Sequence, residues 1–574
     1  MNSAGLSVGR SSARVAVSTV LLCLAIALLA RVFNERIGYA NAFNCDAWYF
    51  FGLQFNFAEV YSSGRFYQAL RFPAILPWIL LGNSIPYEVL NLTKFATYLT
   101  LTCSGFVWFG TRLYGTRVGA LITILFGCST TLLGVLSHDY LTGAGLAWIS
   151  LLLAATVEAG RSKRPFLWSV SAGVLFGMCL YTHLPTGLFV FAVPSLVLAN
   201  ANETSHKALE RLFAYAVGCI VGFGGITIAL GLYNVSLGGT FYYIGRQVEI
   251  ALGLLDAEAN RTTGREAGLG WLRNEGIVPI LVTMIAGSGI QIFRERGSFV
   301  GNPARVSALV CFTTSVLVFS WELSGRVLLQ YDVYGPWIYP LIFASLGGML
   351  WRIDVVHTMS SRRFGAIIAG IVCVSLAAAV TQRHPDMNDT LLVAKAVCGL
   401  GFLFMFVCLA TTARGAYALV PLVALIALGF PTTYGSAPWY VPAGLVREMT
   451  FQAANALRVY DRLGIPEVPS FWVGASQPEV ISVPRSFFFC TNFAGSFPST
   501  SIGKRGFEPY FQPLTEATIG PAKTLVVVAV GSGLGGTAAA TLSRLGYQSH
   551  IVGEWQIGAD ALTTSMTVLS LSRP

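Results

Sequence analysis

Charge is what this chain has least of. Asp, Glu, Lys and Arg together make up 11% of its 574 residues, whereas soluble domains average about 25%. A soluble protein of this length is thereby excluded, because so few charges cannot cover its surface. Histidine is scarce, with six in all, and none of the 11 cysteines stands in a CxxC spacing, so the sequence signature of a structural zinc site is missing. The long apolar runs carry almost no ionisable residue in their cores and show no internal repeat. Both absences weigh against a transporter, which needs paired charges inside its spans and related halves.

What the chain has is apolar sequence, with 54% hydrophobic and 13% aromatic residues. A helix needs about 20 apolar residues to cross roughly 30 Å of hydrocarbon, and about thirteen runs approach that length. They centre on residues 15–33, 88–111, 117–136, 141–158, 166–182, 186–200, 212–232, 276–293, 304–321, 335–351, 364–381, 391–411 and 415–430. Alternate connections are basic: Arg10 and Arg14, then Arg112 with Arg117, "RSKRP", Lys207 with Arg211, "RERG", Arg362 with Arg363, and Arg414. Because Lys and Arg concentrate in short cytoplasmic loops, the N-terminus is expected inside and the segment from about Thr432 outside. These clusters account for much of the net charge of +10, so no nucleic-acid partner is needed. The first run follows a basic start but lacks a small-residue cleavage site in "LLARVFNER", and it reads as a retained helix. Nine cysteines fall in or near the runs, where Cys packs as a small apolar residue. Cys45 and Cys490 fall in the outer segments, where an oxidising bacterial periplasm permits a bridge.

Nearly all the polar mass lies on the expected outer side. The fold class that follows is an α-helical polytopic membrane domain over residues 1–431 and a small extracytoplasmic α/β domain over 432–574. The first outer loop, residues 34–87, contains "DAWYFFGLQFNFAEVYSSGRFYQ", whose aromatic spacing suits a helix at the membrane interface. "RFPAILPWILLG" follows, apolar but too short to span, so the loop reads as two juxtamembrane helices. In the C-terminal region "TLVVVAV" reads as a buried strand, "GTAAATLSRLG" as a helix closed by Gly546, and "YQSHIVGEW" as a second strand, a βαβ or similar layer. Gly531, Gly533 and Gly536 match GxGxxG between strand and helix. Too few residues follow for a dinucleotide fold, so the glycines are expected to make only a tight turn.

Asp46 stands in "NAFNCDAWYFFG" among Phe43, Trp48, Tyr49, Phe50 and Phe51. A carboxylate partly shielded by aromatic residues has a raised pKa and is a stronger base once ionised. "SHDYLTG" sets His138 and Asp139 at the outer end of the third run. The same acids have a plainer use as ion-pair partners of Arg65 and Arg71. Positive charge is disfavoured in short translocated loops, yet Arg65, Arg71, Lys94, Arg246, Arg261, Arg265, Arg273 and Arg326 are there. An anionic headgroup such as a phosphate supplies a reason, since Arg binds phosphate oxygens bidentately. Adhesion to ordinary anionic phospholipid is the alternative.

With these residues identified, the layout resembles the GT-C fold membrane glycosyltransferases, in the branch of the protein O-mannosyltransferases and the lipid A aminoarabinose transferase. The likeness covers residues 15 to 350. It rests on Asp46 in a long first outer loop, "RFYQALRFPAILPWILLG" before the second span, Asp139 after the third, and "QYDVYGPWIYPL" entering a late span, where Gln330 and Tyr331 replace the family's common Arg-Tyr. The resemblance implies a polyprenyl-phosphate-linked sugar donor and a lipid, glycan or protein acceptor outside the cytoplasm. It implies Asp46 as general base, inversion at the anomeric carbon, and Arg65, Arg71, Arg246 or Arg326 facing the leaving phosphate. Asp139 with His138 would position the acceptor or hold a divalent ion, though no metal is required. A transporter or flippase of a lipid-linked substrate, and a non-catalytic assembly subunit, are the rival readings.

Overall fold

The computed structural model describes residues 3–34, 50, 51, 53, 54, 57, 61, 67–82, 84–137, 141–200, 205–243, 245, 248, 249, 285, 288, 289, 291–293, 299–323, 335–351, 354–381, 470–475, 516–519, 523–530, 534–557 and 564–572. The chain divides into two compact units. One is Met1–Gly38, Phe95–Ser137 and Leu141–Gly435; the other is Tyr39–Lys94, His138–Tyr140 and Ser436–Pro574.

The first unit is helical. Its elements are α1 (Ser3–Phe33), most of α3 (Tyr87–Tyr114), α4 (Thr116–Gly127), α5 (Thr130–Leu136), α6 (Thr142–Arg161), α7 (Pro165–Thr182), α8 (Ser205–Ser236), α9 (Pro303–Leu323), α10 (Tyr339–Trp351), α11 (Asp354–Thr358) and α12 (Ser361–Thr381). Among the described residues five segments are long and apolar enough to cross a membrane: Ser12–Phe33, Thr142–Arg161, Pro165–Thr182, His206–Ser236 and Pro303–Ser320. The protein is an integral membrane protein. Helix α6 is buried along nearly its whole length, whereas α8 turns Phe213, Ile220 and Leu232 outward, as a helix facing lipid does.

Two of the expected spans take another form. The run 117–136 is interrupted at Ser129, which is extended (φ −68°, ψ 125°) and accepts a 3.2 Å hydrogen bond from the Leu132 amide. That side chain caps a new helix, so the run becomes α4 and α5 instead of one rod. The run 186–200 is wound as two 3₁₀ segments, Leu184–Phe191 and Val193–Asn200. Thr186, Phe189 and Ala192, then Val193, Leu196 and Ala199, are buried at intervals of three, the period of a 3₁₀ face, with Val197 buried beside them. The runs 391–411 and 415–430 lie outside the described residues.

Helices α7 and α8 run parallel: Ser169 meets Gly218, Gly173 meets Cys219 and Gly177 meets Ile226. Each presents a small-xxx-small pair, Gly173 with Gly177 and Gly218 with Gly222, which lets backbones come together without side chains between them. A methyl group added at Gly222 would overlap the Val170 carbonyl oxygen.

At one end of this unit arginines close the ends of neighbouring helices. Arg117 donates to the carbonyls of His357 (2.6 Å) and Met359 (2.7 Å), Arg161 to that of Arg112, and Arg211 to that of Gly160. These carbonyls lie at or near helix C-termini, where intrahelical donors run out and a cation meets the negative end of the dipole. Glu158, buried in α6, bonds Arg112 at 2.5 Å and accepts from the Trp108 indole at 2.8 Å. The seven described cysteines carry free thiols and lie in or at the ends of helices, while Cys45 and Cys490 are outside the described residues.

The second unit holds α2 (Phe72–Gly82), the start of α3 and a four-stranded sheet of β1 (Ser470–Ala475), β2 (Thr524–Val530), β3 (Gln548–Ile557) and β4 (Thr564–Ser572) in the order β1-β2-β4-β3. β1 is parallel to β2, and β4 is antiparallel to both β2 and β3. β2 and β3 are therefore parallel with β4 inserted between them, a split βαβ whose crossover is α14 (Leu534–Arg544), with α13 (Glu516–Ile519) ahead of it. Ile519, Leu525, Ala538, Leu542, Tyr547, Leu569 and Leu571 form the core beneath. Gly546, at φ 80°, ends α14. Its amide donates to Ser543 O (3.0 Å) and that of Tyr547 to Leu542 O (2.9 Å), the Schellman pattern.

Candidate active site

In the second unit the aromatic segment of the first outer loop lies along α2. Residues 50, 51, 53, 57 and 61 are helical. Phe51 meets Tyr87 edge to face at 4.9 Å, the Gln54 carbonyl lies against Gly82, and Phe57 and Tyr61 each approach Phe72 at 6.3 Å. Ascending residues of the segment thus meet descending residues of α2, and the two run antiparallel. Glycine is needed at 82, since any side chain there would collide with the Gln54 carbonyl. Gln54 itself donates from Nε2 to Phe50 O at 3.1 Å.

Two cations are buried in this aromatic setting. Arg71 precedes α2 and is 5% exposed; its carbonyl accepts from the amides of Ala74 (3.0 Å) and Ile75 (3.2 Å) and so starts the helix. Lys94 is 4% exposed and belongs to the stripe Tyr87, Leu90, Asn91 and Lys94, the i, i+3, i+4, i+7 face of α3. Asn91 Nδ2 donates to the Tyr87 hydroxyl at 3.4 Å along that face. Taking a cation out of water costs several kcal/mol unless surrounding groups compensate it. Held where water is excluded, such a charge acts on a developing anion more strongly than it would in solvent.

In the first unit one side chain joins three segments that are distant in sequence. Trp337 of "GPWIYP" meets the His183 ring of "THLPTG" at 3.7 Å between centroids. A methyl group at Gly145, in the first turn of α6, would lie 3.2 Å from its indole nitrogen. Both rings are buried, His183 at 7% and Trp337 at 3% exposure. His183 ends α7 in an extended conformation (φ −155°, ψ 116°), donates its amide to Cys179 O at 2.8 Å, and accepts from the Thr186 hydroxyl at 2.8 Å.

Of the residues singled out from sequence, Arg71 is described and buried, while Asp46, Arg65, His138, Asp139, Arg246 and Arg326 lie outside the described residues. Among the described residues no group of three His, Cys, Asp or Glu side chains forms a metal site. The sequence reading ranked Lys94 behind the arginines, although polar residues on an otherwise apolar stripe signal a buried polar cluster. His183 and Trp337 went unremarked as a pair, since only the fold brings "THLPTG" and "GPWIYP" together. Asn91 and Asn234 fall in sequons, and both side chains are buried and hydrogen-bonded.

No model of a known family matches this chain, and no curated protein sequence does. Among solved structures, ArnT from Cupriavidus metallidurans bound to undecaprenyl phosphate is similar over 96% of this chain and 97% of its own, at 15% identity and a TM-score of 0.46. The apo state of the same protein is similar over 96% of this chain and 98% of its own, at 14% identity and a TM-score of 0.44. The Archaeoglobus fulgidus oligosaccharyltransferase tethered to an acceptor peptide is similar over 80% of this chain and 61% of its own, at 10% identity and a TM-score of 0.37. Both proteins are GT-C fold enzymes, and ArnT is the lipid A aminoarabinose transferase.

Proposed function

We propose that this protein is a membrane glycosyltransferase that moves a sugar from a polyprenyl-phosphate donor to an acceptor outside the cytoplasm, with inversion at the anomeric carbon. One observation carries the reading. Arg71 and Lys94 are both buried in the unit that holds the aromatic first outer loop, where fixed positive charge suits a phosphate ester.

In the reaction Asp46 takes the proton from the acceptor nucleophile as it attacks the anomeric carbon. The bond from that carbon to the phosphate oxygen breaks, and polyprenyl phosphate leaves with the bonding pair. Arg71 and Lys94, with Arg65, Arg246 or Arg326, offset the charge that builds on the departing phosphate. Asp139 with His138 positions the acceptor or holds a divalent ion. The acceptor is a lipid, a glycan or a protein. The site faces the periplasmic side of a bacterial inner membrane, with the N-terminus in the cytoplasm.

The test pairs purified wild type with Asp46→Asn, a panel of radiolabelled polyprenyl-phosphate sugars and native membranes as acceptor. Transfer by wild type is expected, with a loss of about 10²- to 10⁴-fold in the variant and donor binding retained. Undiminished transfer in the variant removes Asp46 from the chemical step. Donor movement across the bilayer without transfer identifies a flippase instead.

A further inference from the structure

A second site lies at the end of the helical unit where α6 finishes and α7 and α8 begin, and it is independent of glycosyl transfer. Half of the cations there are already engaged: Arg112 with Glu158, Arg161 with the Arg112 carbonyl, and Arg211 with the Gly160 carbonyl. Lys163, Arg164 and Lys207 are not. Their side chains are exposed and meet no acid or carbonyl among the described residues. The described carboxylates at this end are both occupied, Glu158 by Arg112 and Trp108, and Glu210 by His206 at 3.1 Å. Among the described residues these three positive charges therefore face outward with no ion-pair partner.

Apolar side chains surround them. Phe166 is 50%, Leu167 56% and Phe213 72% exposed. Because α7 and α8 are parallel with Ser169 against Gly218, Arg164 lies at about the level of Phe213. Lys207 lies about 9 Å further along α8, six residues at about 1.5 Å each. The cations thus run over about 9 Å, from the level of the exposed aromatic and aliphatic side chains to beyond them. That is the profile of a phospholipid, with its phosphate at one level and its acyl chains below.

We propose that this corner binds an anionic phospholipid, with its phosphate held by Lys163, Arg164 and Lys207 and its acyl chains laid on Phe166, Leu167 and Phe213. The cluster of cations selects an acidic headgroup over a zwitterionic one, whose own ammonium would be repelled. The engaged arginines hold the helix ends in place, so the free cations stay together.

The test uses the full chain in nanodiscs of phosphatidylcholine containing a spin-labelled phosphatidylglycerol or a spin-labelled phosphatidylcholine, with tryptophan quenching at Trp168 and neighbouring indoles and the lipid retained after delipidation both measured. Wild type is expected to retain phosphatidylglycerol and to show selective quenching by it. In Lys163→Gln/Arg164→Gln/Lys207→Gln the selectivity falls on the order of a hundredfold, since each interfacial cation contributes roughly fivefold. Arg362→Gln/Arg363→Gln, two exposed cations at the start of α12, serves as the charge control and is expected to keep the selectivity. Equal retention of both lipids by wild type overturns the proposal, as does equal loss in both variants, which would mean diffuse charge attraction and no local site. The readout needs no sugar transfer, so it stands apart from the fate of the enzymatic reading.

Discussion

Replacing Lys94 by Met keeps the length and apolar stem of the side chain and deletes its charge at a position 4% exposed to solvent. If that ammonium opposes the negative charge on a departing phosphate, its loss weakens the transition state more than the ground state, where the phosphate ester carries less charge. Removing one preorganised donor from such a site costs about 3–4 kcal/mol, or on the order of 10²- to 10³-fold in kcat. Tyr87, Leu90 and Asn91 on the same face of α3 are buried as Lys94 is, and Met, close to Lys in length and volume, should fill the space without opening a cavity. The assay is single-turnover transfer from the preferred polyprenyl-phosphate sugar, with donor affinity measured separately and thermal unfolding as the control for folding. Lys94→Arg, which keeps the charge, is expected to recover part of the rate. A folded Lys94→Met protein that transfers sugar within threefold of wild type would refute the argument and make Lys94 a structural cation. A kcat loss that Lys94→Arg does not lessen at all would point the same way.

Other consequences are open to direct measurement. Gly222→Ala drives a methyl group into the Val170 carbonyl, so α7 and α8 must separate; a stability loss of about 1–3 kcal/mol is expected from overpacking, read as a lower thermal midpoint in detergent. Gly224→Ala, two residues on and on the other side of the helix with open space around its Cβ position, is expected to leave the midpoint unchanged. Ser129→Ala removes the cap that starts α5 and should cost about 1 kcal/mol, visible as faster amide exchange at Leu132 and Leu133.

How much of this was legible depends on what carries the signal. The ends of α6 and α7 were readable because a basic cluster, "RSKRP", separates them and Pro165 opens the second helix. The strand Thr524–Val530 and the stop at Gly546 were readable because a β-branched run and a glycine speak for themselves. The break at Ser129 was not, since one hydroxyl in a uniformly apolar run looks like any other buried polar group until its partner at Leu132 is known. The 3₁₀ winding was not either: a run that is apolar on every side has no visible period, so intervals of three and of 3.6 read alike. The first outer loop gave up its aromatic character and Arg71, but the burial of Lys94 follows from the packing of α3, which no local pattern states. The meeting of His183 with Trp337 joins residues far apart in the chain, and sequence order alone cannot bring them together.

The 3₁₀ winding also settles a question of length. Residues 184–200 would be at the short limit for an α-helix crossing the hydrocarbon: at about 1.5 Å per residue they reach roughly 26 Å, against a thickness of roughly 30 Å. Wound at about 2.0 Å per residue they reach roughly 34 Å. The overwound form lets a short stretch do the work of a long one. Because it joins the far end of α7 to the near end of α8, it is also what allows those two helices to run parallel. The segment is in effect a stretched strut between the faces of the membrane. Its end-to-end distance would shrink by about 8 Å on relaxing to an α-helix, so a thinner bilayer would favour that relaxation and a thicker one would oppose it, tying the position of His183 to the thickness of the surrounding lipid.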